Sequence, residues 1–268
     1  MFSTQPQHVD VDGVSVGYYA EGQGPEVVLL HGASGHPETS FPHLLDELLK
    51  TRRVIVPGYS GSSLTPLPEG ELDVDRLADQ ILAVVRETAR GPVDVIGFST
   101  GAVVAAAAAA QEPGLVRRLV LCGGFAHYGH PWQRMFTRTW QRLAEVDANT
   151  FAEFTLLHAV SDRYLDTLTP RERLMLRAGL LPSPGMVALV DLIGRLDVSD
   201  SLAKIEAATL VIGNRLDQLV QPRYAREFQE AIPGSEFVEL DAGHLAVLEK
   251  PEELLRLVEE FLQRPPVR

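Results

Sequence analysis

The chain has 268 residues, enough to bury a sizeable core in one large domain, and its 45% hydrophobic and 22% charged residues are ordinary for a globular protein. Its 24 basic and 36 acidic residues give a net charge of −12 with no cluster of Lys and Arg, which argues against nucleic acid and anionic membranes as partners. One cysteine excludes an intrachain disulfide, and with no secretory signal pattern and no apolar run near the roughly 20 residues of a membrane span, we expect a cytoplasmic protein.

The first half of the chain alternates strand-like and helix-like patterns. Residues 8–20 alternate around Asp12-Gly13, a two-residue turn typical of a β-hairpin. A continuous apolar run, typical of a strand buried on both faces, occurs at residues 27–30, and mostly apolar runs predict further strands at 53–56, 93–96 and 119–121. Helical spacing or helix-forming composition occurs at residues 42–50, 72–90 and 102–110, and a long loop is predicted at 57–71.

The pattern changes after residue 125. Between residues 125 and 202 no strand-like run occurs, and several helical stretches predict a helical insertion. Strands then return at 209–212 and 237–240, helices at 222–231 and 245–262, and a tail at 263–268. Strands that alternate with helices predict an α/β fold with a mostly parallel sheet, helices on both faces and ligands at the carboxyl ends of the strands.

The segment Gly97-Phe98-Ser99-Thr100-Gly101 joins the strand at 93–96 to the alanine-rich helix. A serine on such a sharp turn stands above the end of the sheet, and the two glycines let strand and helix pack closely. Amides at the start of the helix point at the same place with a partial charge of about +0.5. Ser99 is therefore predicted to be a nucleophile.

A serine hydroxyl is a weak nucleophile at neutral pH unless a base takes its proton and a third group orients that base. His244 follows the last predicted strand and Asp217 follows the strand before it, so both lie at the edge where Ser99 is expected. The order Ser99, Asp217, His244 is the one expected for this serine motif. Asp241 is an alternative acid, although it is too near His244 in sequence to reach across the imidazole comfortably.

Together these motifs resemble the α/β-hydrolase superfamily, capped type, over essentially the whole chain. The resemblance rests on His31-Gly32, the serine motif, Gly213-x-x-x-Asp217 with Pro222 beyond it, and Gly243-His244. It implies eight strands, a core formed by residues 1–125 and 203–268, and a helical cap at 126–202 over the pocket. It also implies an oxyanion hole from the backbone N–H groups of Ala33 and Thr100, each donor being worth about 3 kcal/mol in the transition state.

One loop departs from the pattern of many relatives, which carry an Asp and an Arg after the fourth strand. Here the run is Pro57-Gly58-Tyr59-Ser60-Gly61-Ser62-Ser63, and both charges are missing. Inferences about substrate from those relatives are therefore weakened. Tyr59 is interpreted as a packed loop aromatic rather than a residue that faces the pocket.

Aromatic residues at helical spacing in the insertion fit either its own core or the pocket wall. The candidates for substrate binding are Trp132, Phe136, Trp140 and Phe154, and both interpretations predict an apolar cavity. Three other histidines are given no catalytic role: His31 and His158 are interpreted as locally hydrogen-bonded, and His36 as exposed. No metal cluster, phosphate-binding loop or dinucleotide fingerprint occurs, so neither a metal nor a cofactor is expected.

The sequence thus predicts a cofactor-free serine hydrolase that cleaves an ester, thioester or lactone of a small hydrophobic substrate through an acyl-enzyme. Alternatives on the same triad are a haloperoxidase or perhydrolase, a C–C hydrolase, and a lyase or cyclase of natural-product biosynthesis. A ligand receptor with slow turnover is a further alternative. Enzymes with an Asp nucleophile are disfavoured because Ser99 occupies that place. The oligomeric state stays open, with a homodimer as one arrangement.

Overall fold

Eight strands form one sheet in the computed structural model, which describes residues 2–264. The strands are β1 (Gln7–Val11), β2 (Val14–Gly22), β3 (Glu26–Leu30), β4 (Arg53–Gly58), β5 (Val93–Phe98), β6 (Val116–Cys122), β7 (Ala208–Asn214) and β8 (Glu236–Leu240). Their order is β1-β2-β4-β3-β5-β6-β7-β8. The pairs β1–β2 and β2–β4 are antiparallel and the others parallel. The predicted α/β fold with a mostly parallel eight-stranded sheet is confirmed.

Helices fill the connections between the parallel strands and follow the last strand. They are α1 (Pro42–Leu48), α2 (Val74–Thr88), α3 (Thr100–Gln111), α4 (Pro131–Val146), α5 (Ala148–Ala159), α6 (Asp162–Thr167), α7 (Pro170–Gly179), α8 (Pro184–Ile193), α9 (Ser199–Leu202), α10 (Pro222–Glu230), α11 (Ala246–Glu249) and α12 (Pro251–Leu262), with a 3₁₀ helix at Pro113–Leu115. Several begin with proline, whose fixed φ suits the first helical position and whose missing N–H is not needed there.

Successive side chains of a strand point to opposite faces, and the core is divided accordingly. Val28 and Leu30 of β3 pack with α2, α3 and α10 on one face. Val27 and Leu29 pack with α1 and α12 on the other. The run Ala105–Ala110 of α3 is fully or almost fully buried, so small side chains let this helix lie close to the sheet. Both faces are covered, as continuous apolar strands require.

The N-terminal hairpin turns at the predicted dipeptide. Asp12 and Gly13 have φ angles of 52° and 83°, the left-handed values of a two-residue hairpin turn. Val11 pairs with Val14 on either side of them. The hairpin predicted from Asp12-Gly13 is confirmed.

The C-terminal helix differs from its prediction. The single helix expected at residues 245–262 is two helices, α11 and α12, separated at Lys250. Lys250 has φ −138° and ψ 51° because Pro251 disfavours the α conformation of the residue before it. Of the predicted tail, residues 263 and 264 follow α12, and 265–268 lie outside the described residues.

Six α-helices, α4–α9, lie between β6 and β7. Ala152, Leu156, Val160 and Leu180 form a small buried cluster among them, whereas Phe136 and Trp140 join the larger core that reaches the sheet. Among residues 2–264 no single helix is long and apolar enough to cross a membrane; α7 and α8 would pass such a test only as a pair, and they are bent by 76° at the break between them.

Candidate active site

Ser99 lies in the sharp turn between β5 and α3. Its φ of 56° and ψ of −124° are strained for a residue with a side chain, and only Asp12 shares a positive φ among the described non-glycine residues. Such a conformation costs on the order of 1–3 kcal/mol and persists only when its surroundings hold it. The Ser99 amide donates to the carbonyl of Cys122 at 2.9 Å, which ties the turn to the end of β6.

The two glycines of the turn have no room for a side chain. A Cβ on Gly97 would lie 2.4 Å from the carbonyl oxygen of Gly101, so this glycine lets the strand meet the helix. A Cβ on Gly101 would lie 2.4 Å from the carbonyl oxygen of His31, so this one lets α3 meet the end of β3. The close packing inferred from the Gly-x-Ser-x-Gly spacing is confirmed.

His244 and Asp217 meet at the carboxyl edge of the sheet. Nδ1 of His244 lies 2.7 Å from Oδ2 of Asp217, and the side chains are 8% and 0% exposed. The other carboxylate oxygen, Oδ1, accepts from the backbone N–H groups of Leu219 at 2.8 Å and Val220 at 2.7 Å. With the carboxylate held by these amides, the hydrogen bond fixes the ring orientation of His244 with Nδ1 towards Asp217.

Backbone hydrogen bonds join the loop that carries Asp217 to the loop that carries His244. Leu216 donates to the carbonyl of Ala242 at 2.9 Å, and Arg215 donates to that of Leu240 at 2.8 Å. The side-chain amide of Asn214 lies 3.4 Å from the carbonyl of His244. The two side chains therefore meet on a fixed scaffold, although 27 residues separate them in sequence.

Asp241, the alternative acid, contacts two arginines and not His244. Its carboxylate is 43% exposed and pairs with Arg163 at 3.0 Å and with Arg215. Two residues later the chain passes Gly243, where a Cβ would lie 2.6 Å from the backbone nitrogen of Ser161. Asp217, and not Asp241, is the carboxylate that contacts His244.

The His31–Gly35 loop lies directly beside Ser99. A Cβ on Gly32 would lie 3.0 Å from Cβ of Ser99 and 3.5 Å from its hydroxyl oxygen. The carbonyl of Gly32 accepts from the Gly35 amide at 3.0 Å and lies 2.8 Å from Nδ1 of His31. Ala33 follows, 8% exposed, and lines the cavity together with Ser99. Thr100 is the first residue of α3 and is fully buried.

His31, at the start of this loop, is a packed residue that is not part of the described cavity wall. It is fully buried, and its ring stacks on Tyr59 with centroids 4.4 Å apart. Burial lowers the pKa of His31 to about 4, so the ring is neutral at pH 7. Tyr59 donates its hydroxyl to the carbonyl of His31. Both residues are packed supports, as their sequence context indicated, whereas His36 is half-buried rather than exposed.

Ser99 and His244 open into a cavity of about 330 Å³. Its far wall comes from the helices between β6 and β7, and the lining that the structure describes includes no Asp, Glu, Lys or Arg. Trp140 belongs to that wall, with Thr155, Met175, Leu176, Leu180 and Ile193. The indole N–H of Trp140 donates to Thr155 Oγ1 at 2.7 Å, and that hydroxyl donates to the carbonyl of Phe151 at 2.7 Å. The polar groups of this wall thus satisfy one another and present an apolar surface.

Three of the four predicted substrate-binding aromatics are absent from the described cavity wall. Trp132, Phe136 and Phe154 instead pack around one another and His158, with Phe136 5.0 Å from Trp132 and 5.1 Å from Phe154 between ring centroids. Their helical spacing places Trp132 and Phe136 on one face of α4, and this face packs against Phe154 of α5 within the helical segment. Packing within the helical segment is one of the two arrangements that their spacing allowed, and His158 lies 2.7 Å from the carbonyl oxygen of Phe154.

Several wall residues carried no signal in the sequence. Met175, Leu176 and Leu180 look like ordinary apolar positions of a short helix, and Leu219 and Val220 like a loop. They line the cavity because α7 and the loop after Asp217 are brought over Ser99 by the fold. Met175 is 64% exposed as well, so it lies at the cavity opening.

Known proteins of similar sequence and structure indicate the family of this chain. The model of the alpha/beta hydrolase family matches residues 27–257. A pyrrolizixenacetamide deacetylase of Xenorhabdus hominickii is 34% identical over 257 residues, which cover 95% of this chain and 97% of that protein. A pimeloyl-acyl-carrier-protein methyl ester esterase of Aeromonas hydrophila is 26% identical, covering 93% of this chain and 100% of that protein. The enol-lactonase structure from Burkholderia xenovorans LB400 is 22% identical and superposes with a TM-score of 0.86, covering 96% of this chain and 100% of that one.

Proposed function

The chain belongs to the α/β-hydrolase family, and we propose that it is a serine hydrolase acting on an ester, thioester or lactone of a small hydrophobic substrate. The observation that carries the proposal is the buried hydrogen bond between Asp217 and His244 at the edge of the cavity that also contains Ser99. A carboxylate, an imidazole and a strained serine in this arrangement are the parts of an acyl-transfer site.

In the proposed reaction, Oγ of Ser99 attacks the substrate carbonyl while Nε2 of His244 takes the hydroxyl proton. Asp217 stabilises the resulting imidazolium through Nδ1. The tetrahedral intermediate collapses, the bond to the leaving group breaks, and His244 returns its proton to that group. A water molecule, deprotonated by His244, then attacks the acyl-enzyme; the acid is released and the proton returns to Ser99.

The oxyanion is assigned to the backbone N–H groups of Ala33 and Thr100. The carbonyl oxygen of Gly32 accepts a hydrogen bond from the Gly35 amide and lies within hydrogen-bond distance of Nδ1 of His31. In a trans peptide, the N–H of the next residue points in the direction opposite to this carbonyl. The Ala33 N–H is therefore directed away from those partners. Thr100 begins α3, where the first amides have no partner within the helix and the helix dipole favours negative charge.

The cavity defines the acyl group that fits. Its volume of about 330 Å³ holds a small molecule, and the wall, which has no charged side chain among the described residues, favours a neutral, apolar acyl chain or ring. A carboxylate buried against this wall would lose its hydration without gaining a partner.

We assign residues 126–202 as the cap over this cavity and residues 1–125 and 203–268 as the core. Cys122, buried and unpaired, fits the reducing cytoplasm.

Amide deacetylation is a second candidate, favoured by the 34% identity to a protein named as a deacetylase. The same attack by Ser99 would form an acetyl-enzyme. An amine leaves far less readily than an alcohol, so proton donation from the His244 imidazolium becomes the demanding step. The two candidates share the acyl-enzyme and differ only in the leaving group.

Fluorophosphonate labelling tests the nucleophile. We expect one adduct per chain, located on Ser99 by peptide mass spectrometry, greatly slowed in His244→Ala and absent in Ser99→Ala. Ser40→Ala is the matched control, because Ser40 also lines the cavity and should leave labelling unchanged. An adduct on another residue, or no adduct on the folded protein, would contradict the proposal. Parallel assays with p-nitrophenyl acetate and an N-acetyl anilide then separate ester from amide cleavage.

A further inference from the structure

A group of side chains that could bind a metal ion lies outside the cavity, at the loop between β6 and α4. His127 and His130 belong to this connecting loop, and Glu227 belongs to α10. Nε2 of His130 lies 3.0 Å from Oε2 of Glu227, and Nε2 of His127 lies 4.0 Å from the same oxygen. One ligand atom from each residue falls within 4.8 Å of the other two.

The backbone under the two histidines is fixed. Tyr128, between them, donates its amide to the carbonyl of Leu196 at 3.0 Å. Gln133, fully buried, accepts from the His130 amide at 3.0 Å and donates to the His127 carbonyl at 3.3 Å. The loop is therefore held from both sides, and the imidazoles approach Glu227 without a large rearrangement.

The third ligand is on an equally firm support. Glu227 is carried by α10, whose neighbouring side chains Tyr224 and Phe228 are buried in the core. The ring of His130 also packs against Tyr224, with centroids 5.1 Å apart. The three side chains are 33%, 36% and 39% exposed, so an ion can reach them from solvent and keep water in its remaining positions.

Two imidazoles and one carboxylate are a donor set that suits zinc and other borderline divalent metals. We propose that His127, His130 and Glu227 bind one divalent transition-metal ion, with zinc as the probe of choice. The ion replaces the direct contact between His130 and Glu227. Ligand atoms about 2 Å from zinc lie within about 4 Å of one another, so the group closes by side-chain rotation.

Binding changes the tautomers of the two rings. The Gly129 amide lies 3.2 Å from Nδ1 of His127, and the Gln133 amide faces the side chain of His130. These contacts favour the tautomer that carries its proton on Nε2. A histidine that binds a metal through Nε2 carries its proton on Nδ1 instead, so Nδ1 can no longer accept a hydrogen bond from the backbone amide. The lost contacts lower the affinity for the ion.

The site would tie the first loop of the 126–202 segment to α10. Tyr128 lies on the cavity wall, whereas the three ligands do not belong to that wall. The metal is thus placed as a brace for the loop and takes no part in the chemistry at Ser99. This inference is independent of the proposed hydrolase activity.

Titration of the chelator-treated full chain with zinc chloride by calorimetry tests the site. We expect one equivalent to bind, with at least tenfold weaker binding in His130→Ala and in Glu227→Gln. His8→Ala, which removes an exposed histidine far along the chain, and His244→Ala, which removes the one in the cavity, should bind zinc as the parent does. At the same cobalt concentration, the visible absorption of the bound ion should be strong in the parent and much weaker in Glu227→Gln.

Absence of saturable zinc binding to the parent chain would overturn the proposal, and so would equal zinc affinity in the parent and Glu227→Gln. Glu227→Gln keeps the shape of the side chain and one accepting oxygen, so it separates lost ligation from lost folding. Circular dichroism on each variant confirms that the comparison is between folded chains.

Discussion

Glu249 accepts two hydrogen bonds from Ser161, one from the backbone nitrogen at 2.8 Å and one from Oγ at 2.6 Å. The pair joins the helical segment to α11, which begins two residues after His244. Beside it, the Leu245 amide donates to the carbonyl of Ala159 at 2.9 Å. The loop that carries His244 is therefore packed against the end of α5, and the histidine is held in place by residues far from it in sequence.

Glu249→Ala should weaken catalysis by loosening that loop. Loss of both hydrogen bonds leaves the Ser161 amide without its acceptor and frees the start of α11, so we expect kcat for p-nitrophenyl ester hydrolysis to fall about tenfold, since small misplacements of catalytic groups are costly. Glu249→Gln keeps one oxygen as an acceptor and should recover part of the rate. Equal rates for the two variants, or a change confined to KM, would show that this contact does not position His244.

Asp217→Asn should lower kcat by about 10⁴, because an amide in that place stabilises the wrong tautomer of His244 and cannot balance the imidazolium. Asp241→Asn is the matched control, since that carboxylate contacts Arg163 and Arg215 instead. We expect it to change kcat less than about threefold. Steady-state kinetics on both variants make the comparison, and a loss in Asp241→Asn comparable to that in Asp217→Asn would contradict the geometry.

The burial of His31 in its neutral form should make the fold less stable in mild acid. Burial lowers its pKa to about 4 from the usual 6.5, so between these values the unfolded chain binds a proton that the folded chain does not. Its contribution to stability is complete above pH 6.5 and is lost as the pH falls towards 4. From pH 7 to pH 5 we expect the free energy of unfolding in urea to fall by about 2 kcal/mol because of this group.

His31→Gln removes that titration and should show a smaller loss between pH 7 and pH 5, whatever its stability at neutral pH. His8→Gln, at an exposed position, serves as the control and should keep the parent's dependence. If His31→Gln and the parent lose the same free energy over this interval, another group causes the acid sensitivity.

Trp140→Ala should change the preferred acyl chain. This ring is on the cavity wall, so its removal enlarges the cavity and should shift the optimum of kcat/KM towards p-nitrophenyl esters two or more carbons longer. Trp132→Ala removes an indole that packs on Phe136 away from the described wall and should leave the optimum unchanged. The same shift in both variants would contradict the assignment of these aromatics.

The sequence alone determined the elements of the fold and the turn at Ser99. Strand runs such as residues 27–30, the Asp12-Gly13 hairpin and the spacing of Gly97 and Gly101 depend on residues close together along the chain, where periodicity and steric limits act directly. The break before Pro251 belongs to the same class of local rule and was obscured by continuous apolar spacing on either side of it.

Which of these side chains contact one another, or line the same cavity, depends on the tertiary structure. Asp217 and Asp241 are both acids near the edge of the sheet, and the fold directs one to His244 and the other to two arginines. Trp132 and Trp140 share a helix, yet only one belongs to the described cavity wall. His130 meets Glu227 across 97 residues. Such contacts depend on how whole elements pack, and no local pattern encodes the distance between residues that far apart.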